Sequence, residues 1–394
     1  MLNGIKICRS ATVSYYLVAQ LKRQAEYFRD QGMEVVLVSS EGPELNQLVL
    51  NDSLRHEVVR IERSISFIDD LAALIRLVRL FRRHRFDIVH STTPKAGLLT
   101  ALAGFFCCVP IRLHTFTGQQ WVTMKGPIRW LSKMADRLIG RLCTHCYADS
   151  ESQRRFLVEQ NILSDSSISV IGEGSLAGVD RNRFDPSRWN EAQGDALRGR
   201  LSIPGDAFVF CYIGRITRDK GISELLSSFA VLHSMGFNAD LLLLGPLDSD
   251  CGGSRSSSNF SGLLKSPRVH CLGYVNDPEQ FLAISDILCL PSYREGFGTV
   301  VIEAAAMGVP AVGTRITGLV DAIVDGETGI LVVPRDEGSL LAAMQKCLES
   351  PGLVKKMGKA AQQRCARSFD SSIVNRKVAE EYERLLRQAG RSRA

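Results

Sequence analysis

The sequence predicts an α/β protein built from two doubly wound domains. Short β-branched or apolar runs alternate with longer amphipathic stretches along the whole chain, the pattern of parallel strands joined by helices. Thirteen strand-like runs are too many for one such sheet. A chain of 394 residues also exceeds what one hydrophobic core usually organises.

The expected strands of the first domain are Ile5–Cys8, Glu34–Val38, Glu57–Ile61, Asp87–His90, Ile111–Phe116, His145–Ala148 and Ile168–Ile171. Those of the second are Phe208–Ile213, Ala239–Leu244, Val269–Leu272, Ile287–Leu290, Ala311–Gly313 and Ile330–Val333. Helical periodicity fills most of the intervals, as in Val13–Gln31, Leu71–Arg83, Ser223–His233 and Val300–Met307. Gly172, Gly174, Gly178, Asp185-Pro186 and a polar run mark a break. The expected division is 1–172, a linker 173–200, 201–370, and a C-terminal helix within 371–394. Ser249–Gly262, in which nine of fourteen residues are Ser or Gly, reads as a surface loop.

Composition narrows the class. Apolar residues make up 45% and charged residues 23%, which excludes a disordered, collagenous or coiled-coil chain. Net charge is 48 − 42 = +6, a mild basic excess. Eleven cysteines are too sparse for a disulfide scaffold and suit a reduced cytoplasmic setting. Cys143-Thr-His-Cys146 lacks a second ligand pair at zinc spacing, so structural cysteine is the expectation. The longest uncharged run, Ala96 to Ile111, has sixteen residues, fewer than the roughly 20 that a spanning helix needs. Lys6 and Arg9 interrupt the first apolar stretch, so no secretory leader is expected.

Ligands of doubly wound sheets bind beyond the carboxyl ends of strands, where strand order reverses, and two such domains facing each other make a cleft. Chemistry is therefore sought just after each strand. In Leu290-Pro-Ser-Tyr-Arg-Glu295-Gly-Phe-Gly-Thr-Val-Val-Ile-Glu303 a strand leads through a glycine-bearing loop into a helix. The amides of Gly298, Thr299 and Val300 form a natural phosphate site, and Gly296 lets a ligand approach the backbone. Glu303, about one turn into the helix, leans back toward that end. A carboxylate there suits neighbouring sugar or ribose hydroxyls, and Glu295 belongs to the same rim. After the first strand of the second domain comes Gly214-Arg215-Ile-Thr-Arg-Asp-Lys220-Gly221. Arg215 offers a planar fork and Lys220 a mobile charge for phosphate oxygens.

These stretches resemble the retaining glycosyltransferases of family 4, with the GT-B fold of two Rossmann-like domains facing a cleft. The resemblance rests on the GRxxxxKG turn, the PSxxEGFGxxxxEAxAxGxP run and Thr317-Gly-Leu-Val-Asp-Ala-Ile-Val-Asp-Gly-Glu-Thr-Gly329. In the first domain, Asp87-Ile-Val-His-Ser-Thr-Thr-Pro-Lys-Ala-Gly97 is similar to the family's DIVHxHxPKAG segment. The likeness spans nearly the whole chain and is closest to bacterial capsule and exopolysaccharide enzymes.

The resemblance implies a hexosyl- or N-acetylhexosaminyl-transferase that moves sugar from a nucleotide donor, expected to be a UDP-sugar, to a lipid-linked saccharide with retention. Arg215 and Lys220 would hold the diphosphate beside Gly214, Glu303 the ribose, and Glu295 the transferred sugar. Gly296, Phe297, Gly298, Thr299 and Val300 would line the donor site, with Tyr274 near the base, and the first domain would bind the acceptor. No cofactor and no metal are expected. The family's frequent THG reads His114-Thr-Phe-Thr117-Gly118 here, and Thr92 replaces the second histidine of DIVHxH. His114 and His90 therefore either reach the ligand or are satisfied core histidines; both readings stay open.

Asp248-Ser-Asp250 matches a metal-binding tripeptide of another fold but lacks its context. Arg76, Arg79, Arg82, Arg83 and Arg85 load the helix Leu71–Arg85, with Trp121, Lys125, Arg129 and Trp130 further on. They read either as a solvated face or as contact with an anionic membrane surface, which would place the protein peripherally on the inner face of the cell membrane. No nucleic-acid motif is present. A nucleotide-sugar epimerase or oxidoreductase would need a dinucleotide turn that both halves lack; a silent nucleotide-sugar-binding scaffold differs only in turnover.

Overall fold

The computed structural model describes residues 2–45, 54–62, 64, 66–247 and 262–390. The chain divides into two compact units, Met1–Gly178 with Ser371–Ala394, and Val179–Asp370. All thirteen expected strands form, each within a few residues of its expected bounds. They are β1 Lys6–Ser10, β2 Glu34–Ser39, β3 Arg55–Val58, β4 Ile88–Ser91, β5 Ile111–Phe116, β6 His145–Ala148 and β7 Ile168–Val170. Then come β8 Phe208–Ile213, β9 Ala239–Leu244, β10 Val269–Gly273, β11 Ile287–Leu290, β12 Ala311–Thr314 and β13 Gly329–Val332.

The first unit holds a seven-stranded parallel sheet in the order β3-β2-β1-β4-β5-β6-β7. Both faces are covered, and the pleat sorts side chains between them. Ile7, Val35 and Leu37 join Phe28 of the helix Lys22–Asp30 on one face. Cys8, Val36 and Val38 join Leu77 and Phe81 of the helix Phe67–His84 on the other. The C-terminal helix Ser371–Gln388 completes the first of these faces with Val374, Val378, Tyr382 and Leu385, one stripe of a helix.

The helix Pro94–Phe106 lies between Phe67–His84 and Gly126–Leu142. The sixteen-residue uncharged run is thus a buried helix, a turn and the first residue of β5. Among the described residues no helix is long and apolar enough to cross a membrane. Phe67 (87% exposed), Ile68 (84%) and Trp130 (64%) stand on the outside. Trp121, grouped with Trp130 from the sequence, is instead buried: its ring stacks on Phe156 and its Nε1–H donates to Asp136 at 2.7 Å.

The second unit holds a six-stranded parallel sheet in the order β10-β9-β8-β11-β12-β13. One continuous core fills it, and every residue of β9 is buried. The expected linker needs correction. Residues 191–200 are a helix, Glu191–Arg200, started by a capping box in which Asn190 and Gln193 exchange side-chain-to-backbone bonds. Its single buried residue, Leu197, leaves no apolar stripe for periodicity to detect. Asp248 to Asp250 lies outside the described residues.

Candidate active site

In the second unit strand order reverses at β8, which has β9 on one side and β11 on the other, so the loops after β8 and β11 emerge side by side. Close backbone approach makes glycine necessary at two points. A Cβ on Gly221, at φ +69°, would lie 2.1 Å from the Pro291 carbonyl oxygen. One on Gly245, at φ +144°, would lie 1.9 Å from that of Gly214.

The two loops are cross-linked by charge. Lys220 Nζ contacts Glu295 Oε1 at 2.5 Å. One residue earlier on each loop, Arg294 Nη2 contacts Asp219 Oδ2 at 3.2 Å. The Tyr293 amide donates to the Asp219 carbonyl at 2.9 Å, and Ser292 Oγ–H donates to Glu295 Oε1 at 2.8 Å. Arg215 is exposed, and its carbonyl accepts from the Tyr212 hydroxyl at 2.7 Å.

The helix Thr299–Ala306 opens from Gly298, at φ +86°, where a Cβ would also strike Leu319. The first-turn amides of a helix have no partner within it, which leaves those of Thr299 and Val300 turned toward the helix start. Glu303 is half-buried. Burial pushes its carboxyl up to about 7; the Arg183 guanidinium pulls it back and the Glu279 carboxylate adds to the rise. Arg183 is itself paired with Glu279 at 2.9 Å. Neither neighbour was legible in the sequence, because Arg183 falls in the supposed linker and Glu279 in a helix of five residues. Tyr274 follows β10 and is 56% exposed.

One expected contact needs correction, and the two histidines left open by the sequence prove to be core residues. Phe297 is 1% exposed and packs on Phe369 with ring centroids 5.2 Å apart, so its side chain anchors the loop in the core. His114 is buried on β5 with Nδ1 at 2.9 Å from Ser91 Oγ; burial depresses it to about 3 and keeps it neutral. His90 is equally enclosed, its ring nitrogens at 2.6 Å from the Tyr382 hydroxyl and 2.7 Å from Thr115 Oγ1. Both are core histidines. Thr117, half-buried, donates its hydroxyl to the Thr92 carbonyl at 3.2 Å. Among the described residues no group of three His, Cys, Asp or Glu is placed to hold a metal, and Cys143 and Cys146 are free thiols.

Residues 18–174 match the model described as Glycosyltransferase Family 4, and residues 194–364 the model described as Glycosyl transferases group 1. The capsular polysaccharide biosynthesis glycosyltransferase CapM of Staphylococcus aureus is 32% identical over 386 residues, covering 98% of each chain. The Escherichia coli UDP-Gal:alpha-D-GlcNAc-diphosphoundecaprenol alpha-1,3-galactosyltransferase is 25% identical over 82% of each. Among solved structures, a glycosyltransferase from Rickettsia africae superposes with a TM-score of 0.78 at 22% identity, over 98% of this chain and 99% of that one. Anabaena Alr3699/HepE, in complex with UDP and glucose, gives 0.79 at 19% identity over 96% and 99%. The superpositions cover nearly the whole chain, and the likeness to CapM runs from end to end: the chain belongs to the GT-B glycosyltransferases, in the family that the family 4 and group 1 models describe.

Proposed function

We propose that the protein transfers a hexosyl or N-acetylhexosaminyl group from a UDP-sugar to a lipid-linked saccharide during capsule or related surface-polysaccharide synthesis, with retention of configuration. One observation carries the donor site: two cations and a carboxylate gathered on adjoining loops at the strand-order reversal, next to a helix start. Names of relatives support the rest, since CapM is a capsular enzyme and the Escherichia coli relative takes UDP-galactose to a diphosphoundecaprenol acceptor.

In this reading Arg215, Lys220 and the amides of Thr299 and Val300 hold the diphosphate. Glu303 accepts from ribose hydroxyls and Glu295 from hydroxyls of the sugar, while Tyr274 borders the base. The bond between the anomeric carbon and the diphosphate oxygen breaks, and its electron pair stays on that oxygen. The acceptor hydroxyl attacks the same carbon and passes its proton to the departing phosphate oxygen. Fixed cations and amides stabilise the developing charge, a contribution of several kcal/mol in comparable sites, so no metal is needed.

The acceptor falls to the first unit, which carries exposed Phe67, Ile68 and Leu71 on one basic helix and Trp130 on another. That surface fits peripheral attachment at the inner face of the cell membrane, where an anionic lipid carrier is met.

The test is transfer of radiolabel from a panel of UDP-sugars into lipid extracted from a capsulated bacterium, with and without EDTA. The anomeric coupling of the product gives the configuration. UDP binding without transfer from any sugar would leave a silent nucleotide-sugar-binding scaffold instead. Activity lost in EDTA and restored by Mn²⁺ contradicts the metal-free mechanism.

A further inference from the structure

The two cross-links between the loops after β8 and β11 differ in how firmly they are held. Asp219 accepts from Thr217 Oγ1 at 2.5 Å as well as from Arg294, and its carbonyl takes the Tyr293 amide. That link is fixed by backbone at both ends. Glu295 is different: Lys220 and Ser292 both contact one oxygen, Oε1. A hydroxyl and the end of a flexible four-carbon stem are all that these contacts supply. The pair is nonetheless well screened from water, with Lys220 17% and Glu295 15% exposed.

We propose that Glu295 is a place-holder on Lys220 that the donor's diphosphate displaces, so that diphosphate recognition releases the carboxylate for the sugar. The proposal rests on the donor-site reading above. A diphosphate carries more charge than one carboxylate and presents more acceptor oxygens, so it wins the competition for a partly buried ammonium. Glu295, once released, stays within reach because the Asp219–Arg294 link keeps the two loops at their spacing. Sugar recognition then follows diphosphate recognition. A nucleoside monophosphate lacks the second phosphate and leaves Glu295 on Lys220.

The consequence runs against the usual effect of deleting a binding-site carboxylate. Glu295 competes with the second phosphate, and Glu295→Gln removes the carboxylate paired with the partly buried Lys220, which strengthens its pull on a phosphate that reaches it. Calorimetric titration of the full chain with UDP and with UMP tests this. Glu295→Gln binds UDP about tenfold more tightly than the parent, equivalent to about 1.4 kcal/mol, while its kcat falls and its UMP affinity is unchanged. Ser292→Ala removes the hydroxyl that steadies the same oxygen, and shifts UDP affinity in the same direction by about twofold. Melting curves establish that each variant is folded. Unchanged or weaker UDP binding in the folded variants overturns the place-holder while leaving the donor site standing. UDP binding to neither parent nor variants overturns the donor-site reading itself.

Discussion

Arg9 donates from Nη1 to the hydroxyl oxygen of Tyr382 at 2.6 Å, across 373 positions of sequence. Both side chains are buried, and His90 Nδ1 meets the same hydroxyl at 2.6 Å. The first strand of the first unit is thereby tied to the last helix of the chain. Tyr382→Phe leaves a buried guanidinium one partner short and should destabilise the first unit by about 1–3 kcal/mol. Chemical denaturation checks it; a shift within error would mean that Arg9 finds another partner at no cost.

The donor cations should dominate turnover. Arg215→Ala or Lys220→Ala is expected to lower kcat by about 10²-fold or more, the loss that follows removal of one transition-state donor. Near-normal kcat in a folded double variant would remove both from the mechanism.

Glu303 should give donor binding a pH dependence. Burial holds its carboxyl up to about 7, against an ordinary 4.5. The ionised form accepts from ribose hydroxyls, so UDP affinity rises as pH rises through about 7. Stability runs the other way. A carboxyl with a raised folded value favours the folded state most when protonated, below the ordinary value, and loses that contribution as pH climbs from about 4.5 to about 7. Arg183 and Glu279 are the charged neighbours that set the midpoint. In Glu303→Gln both dependences flatten; parallel titrations of parent and variant that keep the same slope would refute this.

Asp149 behaves similarly without a ligand. Burial pushes its carboxyl up to about 7, a hydrogen bond from the Leu176 amide opposes the rise, and Oδ1 has no partner among the described residues. Asp149→Asn is therefore expected to raise the melting temperature at pH 8, where the parent carries a buried charge, and to leave it unchanged at pH 5. Equal melting shifts at both pH values would show that ionisation is not the cause.

Attachment to membranes should be electrostatic and apolar together. Binding to vesicles containing anionic lipid is expected at low salt and should weaken at high salt, at roughly 1 kcal/mol per basic residue near the surface. Changing Arg76, Arg79 and Arg83 to Glu, or Phe67 and Trp130 to Ser, should reduce co-sedimentation. Indifference to both sets, with equal binding to neutral vesicles, would return those helices to ordinary solvated surface.

Strands were legible because both faces of each sheet are buried: continuous runs such as Ala239–Leu244 leave a pattern that survives any neighbour. Helix Glu191–Arg200 was not, since it buries one residue and is specified by its cap. The site divides along the same line. Glycines, cations and carboxylates placed just after strands could be read from local spacing. The contact of Lys220 with Glu295, 75 residues apart, and the approach of Arg183 and Glu279 to Glu303 depend on how strands are ordered in the sheet. For Phe297 local sequence pointed to a ligand and for His114 it left ligand and core both open; burial, which is a tertiary property, put them in the core.

The discontinuity of the first unit sets an order of events during synthesis. Val179–Asp370 is uninterrupted, so the second unit has all of its sheet once residue 370 has been made. The first unit has its seven strands far earlier, yet Phe28, Arg9 and His90 wait for Tyr382. At translation rates of about 5–20 residues per second, that wait is on the order of 10–40 seconds. During it an apolar groove over the sheet stands open to chaperones, and the half made first becomes the half finished last.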